Sequence, residues 1–154
     1  MPNLATHITF ANELNKSEKL IDNHDKGIYL LGSTTPDIRV LTKEPREKYH
    51  FVSLNFDNIG DGITNMMQQF PVLQDMSQTN QLKPFLAGYF SHLILDETWI
   101  TKIFRPLFGK DSNFKNNIYG RILDRAIQLK LEEEARLSFP PLLALIRNST
   151  LIDN

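Results

Sequence analysis

Hydrophobic residues recur at almost every position of the helical repeat in the stretch 80–108. A surface helix carries apolar residues on one face, whereas a helix that is apolar all round lies in a protein interior. The apolar positions are Phe85, Leu86, Tyr89, Phe90, Leu93, Ile94, Leu95, Trp99, Ile100 and Ile103. The pattern therefore predicts a long buried helix in the middle of this stretch, closed by Pro106 and Gly109.

Helical spacing of apolar residues also marks several other stretches of the chain. It predicts helices over residues 4–15, 26–32, 57–70, 112–137 and 142–146. Residues 39–48 are charged and contain a proline, so we expect an exposed loop there, and 71–81 should form a polar link. Strand-like alternation is confined to short fragments. The chain is therefore predicted to be all-α: an irregular multi-helix bundle around the central buried helix, forming a single domain over residues 1–154.

Composition narrows the classes of function. Lys and Arg number 17 against 18 Asp and Glu, which gives a net charge of −1 and no broad basic field to attract nucleic acid. The absence of cysteine excludes disulfides, thiolate metal ligands and cysteine nucleophiles. The first residues do not have the pattern of a secretory signal, and no apolar run has the length of a transmembrane span. A cytoplasmic protein is expected.

The polar residues within the central apolar stretch include a histidine and an aspartate. His92 and Asp96 are four residues apart, so both side chains lie on one face of the predicted helix. A buried carboxylate without a partner costs several kcal/mol or takes up a proton. No Lys or Arg lies within one helical turn of Asp96 in the sequence. We therefore predict a cation bound between His92 and Asp96.

The chain has four histidines, and a lone histidine is more often structural than metal-binding. The set as a whole is more informative. His7 opens the first helix, Asp37 follows the rigid Pro36, and His50 lies between two aromatic residues. Together with His92 and Asp96 they form a set of imidazoles and carboxylates that suits zinc or another first-row divalent ion. His24 is predicted to be an exposed loop residue.

The segments MPNLATHITFA, LLGSTTPDIR, KYHF and LAGYFSHLILDETW resemble the zinc-dependent phospholipase C family. The resemblance covers about residues 3–100, and its most specific parts are the spacings from Gly32 to Pro36-Asp37 and from Gly88 to His92 and Asp96. It implies an all-helical metal hydrolase fold with a mono- or dinuclear site acting on a small phosphate ester.

The resemblance also implies a ligand set. Asp37, His50, His92 and Asp96 would surround one zinc, and His7 would bind a second ion with Asp96 bridging the two. Asp37 would be the catalytic residue that orients or deprotonates water. The third zinc of that family uses histidines late in the chain, whereas no histidine follows His92 here. One or two ions are therefore expected.

Two alternatives remain open. A non-catalytic relative would keep the metal for stability or for binding a partner. A phosphohydrolase of the HD class would use His7, the adjacent pair His24-Asp25 and Asp96, all on helices. Phe104, Phe108, Phe114 and Phe139 are predicted to be core residues rather than a stacking platform for bases.

Overall fold

The computed structural model describes residues 2–74, 82–110, 112–115 and 117–149. These residues form helices and connecting turns without a strand, which confirms the all-α prediction. The helices are α1 (Leu4–Glu18), α2 (Lys26–Gly32), α3 (Arg39–Thr42), α4 (Glu47–His50), α5 (Asp61–Gln69), α6 (Leu82–Trp99), α7 (Arg105–Phe108), α8 (Ile118–Arg136) and α9 (Phe139–Arg147). Thr35–Ile38 and Pro71–Gln74 are 3-10 turns, and Ile100–Phe104 is a π-helical turn. Most of the predicted polar link lies outside the described residues.

Helix α6 is the central helix, as predicted. It buries residues on several faces, among them Leu86, Tyr89, Leu93 and Trp99. One apolar cluster forms between α5 and α6, and a second brings α1, α2 and α9 together. No helix within the described ranges is long and apolar enough to cross a bilayer.

Glycines allow α2 and α6 to pack closely. A Cβ at Gly88 would overlap the carbonyl oxygen of Tyr29, and one at Gly32 would overlap that of Phe85. Gly32 is the last residue of α2, and the cap residue Ser33 that follows it has an ordinary φ of −67°. The value of these glycines is the absence of a side chain, since close contact between backbones leaves no room for a methyl group.

Substituting Gly88 with alanine is expected to destabilise the protein by about 1–3 kcal/mol or more, because the helices must separate to accept the methyl group. Urea unfolding measures the change. The control is Glu133→Ala on an exposed face of α8, which should change the free energy of unfolding by less than about 0.5 kcal/mol. A Gly88→Ala protein as stable as the control would contradict the close packing.

The helix boundaries differ from the predictions where local chemistry decides them. Helix α8 begins at Ile118 rather than near residue 112, because the Asn117 side chain caps it by accepting a hydrogen bond from the Tyr119 amide. Helix α5 begins at Asp61 rather than residue 57, after Gly60 with a φ of 104°. Helix α9 includes the two prolines in its first turn, where the missing N–H groups cost nothing.

Candidate metal centre

The five predicted ligands come from four separate elements. His7 lies in α1, Asp37 in the turn Thr35–Ile38, and His50 at the end of α4, whereas His92 and Asp96 share one face of α6. The structure brings them together in two overlapping groups of candidate ligands, whose ligand atoms lie within 4.8 Å of one another: Asp37, His50 and His92 in one, and His7, His92 and Asp96 in the other. The fold therefore joins residues from across the first two thirds of the chain.

A backbone contact orients His92. Its Nδ1 lies 2.8 Å from the carbonyl oxygen of Ser33, and because a carbonyl only accepts hydrogen bonds, Nδ1 carries the proton. In the neutral ring, Nε2 is then unprotonated and carries a lone pair. A metal-binding histidine usually donates the N–H of its other ring nitrogen to a carboxylate or a backbone carbonyl, and this hydrogen bond fixes the orientation of the ring. His92 therefore presents Nε2 to the centre of the cluster.

Three ligand atoms surround one point in the cluster. The Nε2 atoms of His50 and His92 are 3.3 Å apart, and Asp37 Oδ1 lies 3.9 Å from the first and 4.0 Å from the second. A triangle with these sides has a point about 2.2 Å from all three corners, close to the zinc–nitrogen and zinc–oxygen distances of about 2.0–2.2 Å. The residues fit one ion with an open position for a further ligand.

His7 cannot share that ion. Its ring stacks on His92 with centroids 3.6 Å apart and planes within 7° of parallel. An imidazole lone pair lies in the plane of the ring, so two nearly parallel rings do not point at one ion. His7 Nε2 instead lies 3.4 Å from Asp96 Oδ1. His7 and Asp96 thus fit a second ion, and the spacing of the rings is comparable with the roughly 3.5–4 Å between ions in two-metal sites.

The prediction that Asp96 has no positively charged side chain as partner is wrong. Arg46 Nη1 donates a hydrogen bond to Asp96 Oδ2 at 2.9 Å, and both side chains are buried, with exposures of 7% and 1%. Residues 39–48 were predicted as an exposed loop, but they contain α3, and α4 begins within them at Glu47. A missed signal was the four-residue spacing from Arg46 to His50, which directs both inward from one helix face. Neutralisation of Asp96 therefore does not require a metal.

Other polar atoms of the cluster point to a metal ion instead. Both ring nitrogens of His7, Nδ1 of His50 and Oδ1 of Asp96 are buried and make no hydrogen bond within the described residues. Buried polar atoms without partners are rare in native proteins, where each commonly marks a missing water or ion or a catalytic role. His50 Nε2 also lies 3.1 Å from Asp96 Oδ2, so Asp96 adjoins both possible ions.

Burial controls the charges of the cluster. It lowers the pKa of His50 and holds that of His92 well below the ordinary value of 6.5, in spite of the neighbouring carboxylates. Burial raises the pKa of Asp37. Burial also opposes ionisation of Asp96, but the adjacent His50 and His7 rings outweigh it and hold its pKa well below 3.8. Near neutral pH the cluster therefore contains neutral His50 and His92 rings and an ionised Asp96, the forms that bind metal.

Stability of the metal-free protein should fall as the pH drops below 6.5. The unfolded chain then takes up protons at His50 and His92, whereas the folded chain does so only at lower pH. The unfolded state binds more protons in this window, so acid favours it. Thermal unfolding in a chelator from pH 7.5 to 5.5 measures the effect. His92→Gln should flatten the dependence, and His24→Gln should leave it intact; equal slopes in all three proteins would contradict the assignment.

Access to the cluster is through Asp37. Its side chain is 22% exposed, whereas those of the other four ligands are at most 1% exposed. Beside it lies a groove of about 490 Å³ with largely apolar walls, including Leu31, Ile38 and Val40. A molecule from solvent thus meets Asp37 before any other ligand.

The pair His24-Asp25 belongs to neither group able to hold a metal. His24 is exposed in the turn that precedes α2. The arrangement expected for an HD phosphohydrolase is therefore not assembled within the described part of the chain. Comparison with protein-family models, curated proteins and solved structures finds no match.

Proposed function

We propose that the protein is a metal-dependent hydrolase of small phosphate esters with a mono- or dinuclear zinc-type centre. The observation that carries the proposal is the triangle of His50 Nε2, His92 Nε2 and Asp37 Oδ1, whose size suits one divalent ion. Its ligand set of nitrogen and oxygen atoms, without sulfur, favours zinc or another first-row ion. The resemblance to the zinc-dependent phospholipase C family supports the choice of phosphate esters.

A divalent ion in this cluster would supply Lewis acidity, making a water molecule more acidic and offsetting the charge that develops on a phosphate ester. The chain supplies the remaining functions. Ser33 holds His92 in the required tautomer, and Arg46 donates a hydrogen bond that positions the Asp96 carboxylate beside His50. Buried surroundings exclude water from all but one edge of the cluster, which strengthens its electrostatic interactions.

Asp37 is the residue best placed to handle a proton. It alone among the five ligands is partly exposed, so a water molecule that enters from the groove can donate a hydrogen bond to it. Burial raises the pKa of this carboxyl above its ordinary value, which makes it a better proton acceptor than a surface aspartate. We therefore assign Asp37 to orienting and deprotonating water.

Asp37→Ala is expected to reduce turnover by at least about 100-fold, the usual contribution of a positioned general base. The measurement is hydrolysis of p-nitrophenyl phosphate and of bis(p-nitrophenyl) phosphate with added zinc or manganese. Asp22→Ala, at an exposed position before α2, is the control and should retain full activity. Circular dichroism verifies that both variants are folded. Turnover in Asp37→Ala equal to that of the control would contradict the proposed role.

A non-catalytic metal-binding protein is the second candidate. It is favoured by the burial of four of the five ligands and by the ion pair that occupies one oxygen of Asp96. Tight zinc binding without turnover of either ester would support this function. It would leave the ligand assignment standing and remove only the catalytic part of the proposal.

A further inference from the structure

A second cavity lies at the far end of the central helix. The π-helical turn Ile100–Phe104 follows α6 directly and leads into α7, and both border a cavity of about 500 Å³. Small-molecule sites usually have volumes of about 300–1,000 Å³, and π-helical turns are frequent at functional sites. None of the five candidate metal ligands lines this cavity. It is therefore a separate feature, independent of the proposed hydrolase activity.

Most of the wall surface of the cavity is apolar. The apolar residues include Leu54, Ile100, Phe104 and Phe108. Phe104 was predicted to be a core residue but is 37% exposed. The rings of Phe104 and Phe108 lie 6.4 Å apart and are tilted by 47°, so they form an uneven apolar surface rather than a flat stacking platform. Such a surface suits a flexible hydrocarbon chain.

Among the described residues, every charged side chain that borders the cavity is cationic. These are Arg105, Lys110 and Lys115, and no carboxylate of that part of the chain borders the cavity. Within the described residues no ion pair involves either lysine. Arg105 is held rigidly: its Nη2 donates to the carbonyl oxygens of Leu54 and Phe56 at 2.9 and 2.6 Å, and its guanidinium lies 4.4 Å from the centre of the Phe56 ring.

We propose that this cavity binds a molecule with an unbranched alkyl chain and a single anionic head group, a carboxylate or a phosphate. The apolar walls take the chain, and the three cations take the head group. A nucleotide is a poorer fit, because recognition of a base needs ring faces for stacking and polar groups for its edges. The described residues offer tilted rings and, among uncharged polar side chains, only the Asn55 amide.

Isothermal titration below the critical micelle concentrations tests the proposal, with dodecanoate, dodecyl phosphate, dodecyltrimethylammonium and AMP as probes. At least one of the two anionic amphiphiles should bind, and the tighter one identifies the head group. The cationic amphiphile and AMP should bind at least about tenfold more weakly. Equal binding of the cationic amphiphile, tighter binding of AMP, or no binding of either anionic amphiphile would overturn the proposal.

The location is tested by fluorescence and by variants. Trp99 is the only tryptophan and directly precedes Ile100 of the cavity wall, so 12-bromododecanoate should quench its emission. The double variant Lys110→Glu/Lys115→Glu should weaken dodecanoate binding by about tenfold or more, while the control Lys16→Glu/Lys130→Glu should not. Asp37→Ala should bind dodecanoate normally, which separates this cavity from the metal centre. Equal weakening by both double variants, or lost binding in Asp37→Ala, would overturn the assignment.

Discussion

Asp96→Asn is expected to lower the free energy of unfolding of the metal-free protein by about 3–5 kcal/mol, the usual cost of breaking a buried ion pair from one side. The substitution keeps the size of the side chain but leaves the Arg46 guanidinium without the carboxylate to which it donates at 2.9 Å. Arg46 is only 7% exposed, so water replaces the lost partner poorly. Urea unfolding in the presence of a chelator measures the loss.

The double variant Asp96→Asn/Arg46→Met distinguishes charge from packing. It removes both charges and replaces the guanidinium by an apolar side chain, so it should recover much of the stability lost in Asp96→Asn. Glu133→Gln, which disturbs an exposed pair with Lys130, is the control and should cost less than about 1 kcal/mol. A single variant as stable as the control would show that Arg46 and Asp96 are not coupled. Additive losses in the double variant would show the same.

His92→Gln is expected to weaken zinc binding by more than about 100-fold. Loss of a group that only orients a ligand already costs about 10–100-fold in metal affinity, and His92 is a ligand itself. Its Nε2 forms one corner of the triangle with His50 and Asp37. Competition with a chromogenic zinc chelator measures the affinity at pH 7, where burial keeps the pKa of His92 well below the working pH.

The matched control for this variant is His24→Gln. His24 is exposed and belongs to neither group able to hold a metal, so its zinc affinity should equal that of the unmodified protein. His7→Gln gives a further distinction. If the unmodified protein binds two ions, His7→Gln should bind one, because the stacked ring of His7 cannot serve the same ion as His92. Equal zinc affinity in His92→Gln and His24→Gln would remove His92 from the site.

Much of the architecture follows from local patterns in the sequence. The apolar run around Leu86 and Leu93 predicts the buried central helix, and the span Lys26–Gly32 of α2 matches its prediction. Helix α8 shows the limit of this reasoning. Its apolar residues have helical spacing, but Ile118, Ile122, Leu123 and Leu129 are 43–58% exposed. The periodicity of apolar residues indicates that a helix has an apolar face, whereas tertiary packing decides whether another helix packs against that face.

The site shows the same division between local and long-range information. The four-residue spacing of His92 and Asp96 places both on one face of α6. The other predicted candidates, His7, Asp37 and His50, come from separate elements and lie beside them only in the folded structure. The partner of Asp96 was missed because Arg46 lies 50 residues away in the sequence and approaches only through the fold. Contacts over such distances depend on how helices pack, which helical periodicity does not specify.

The most direct test of the metal centre is a crystal structure of protein purified without chelator, with data collected on both sides of the zinc absorption edge. We expect an anomalous peak between His50 Nε2, His92 Nε2 and Asp37 Oδ1, with a second peak beside His7 and Asp96 if two ions bind. Elemental analysis of the same protein should give one or two divalent ions per chain. A cluster without any anomalous peak, in protein whose elemental analysis shows no divalent ion, would contradict the proposed metal centre.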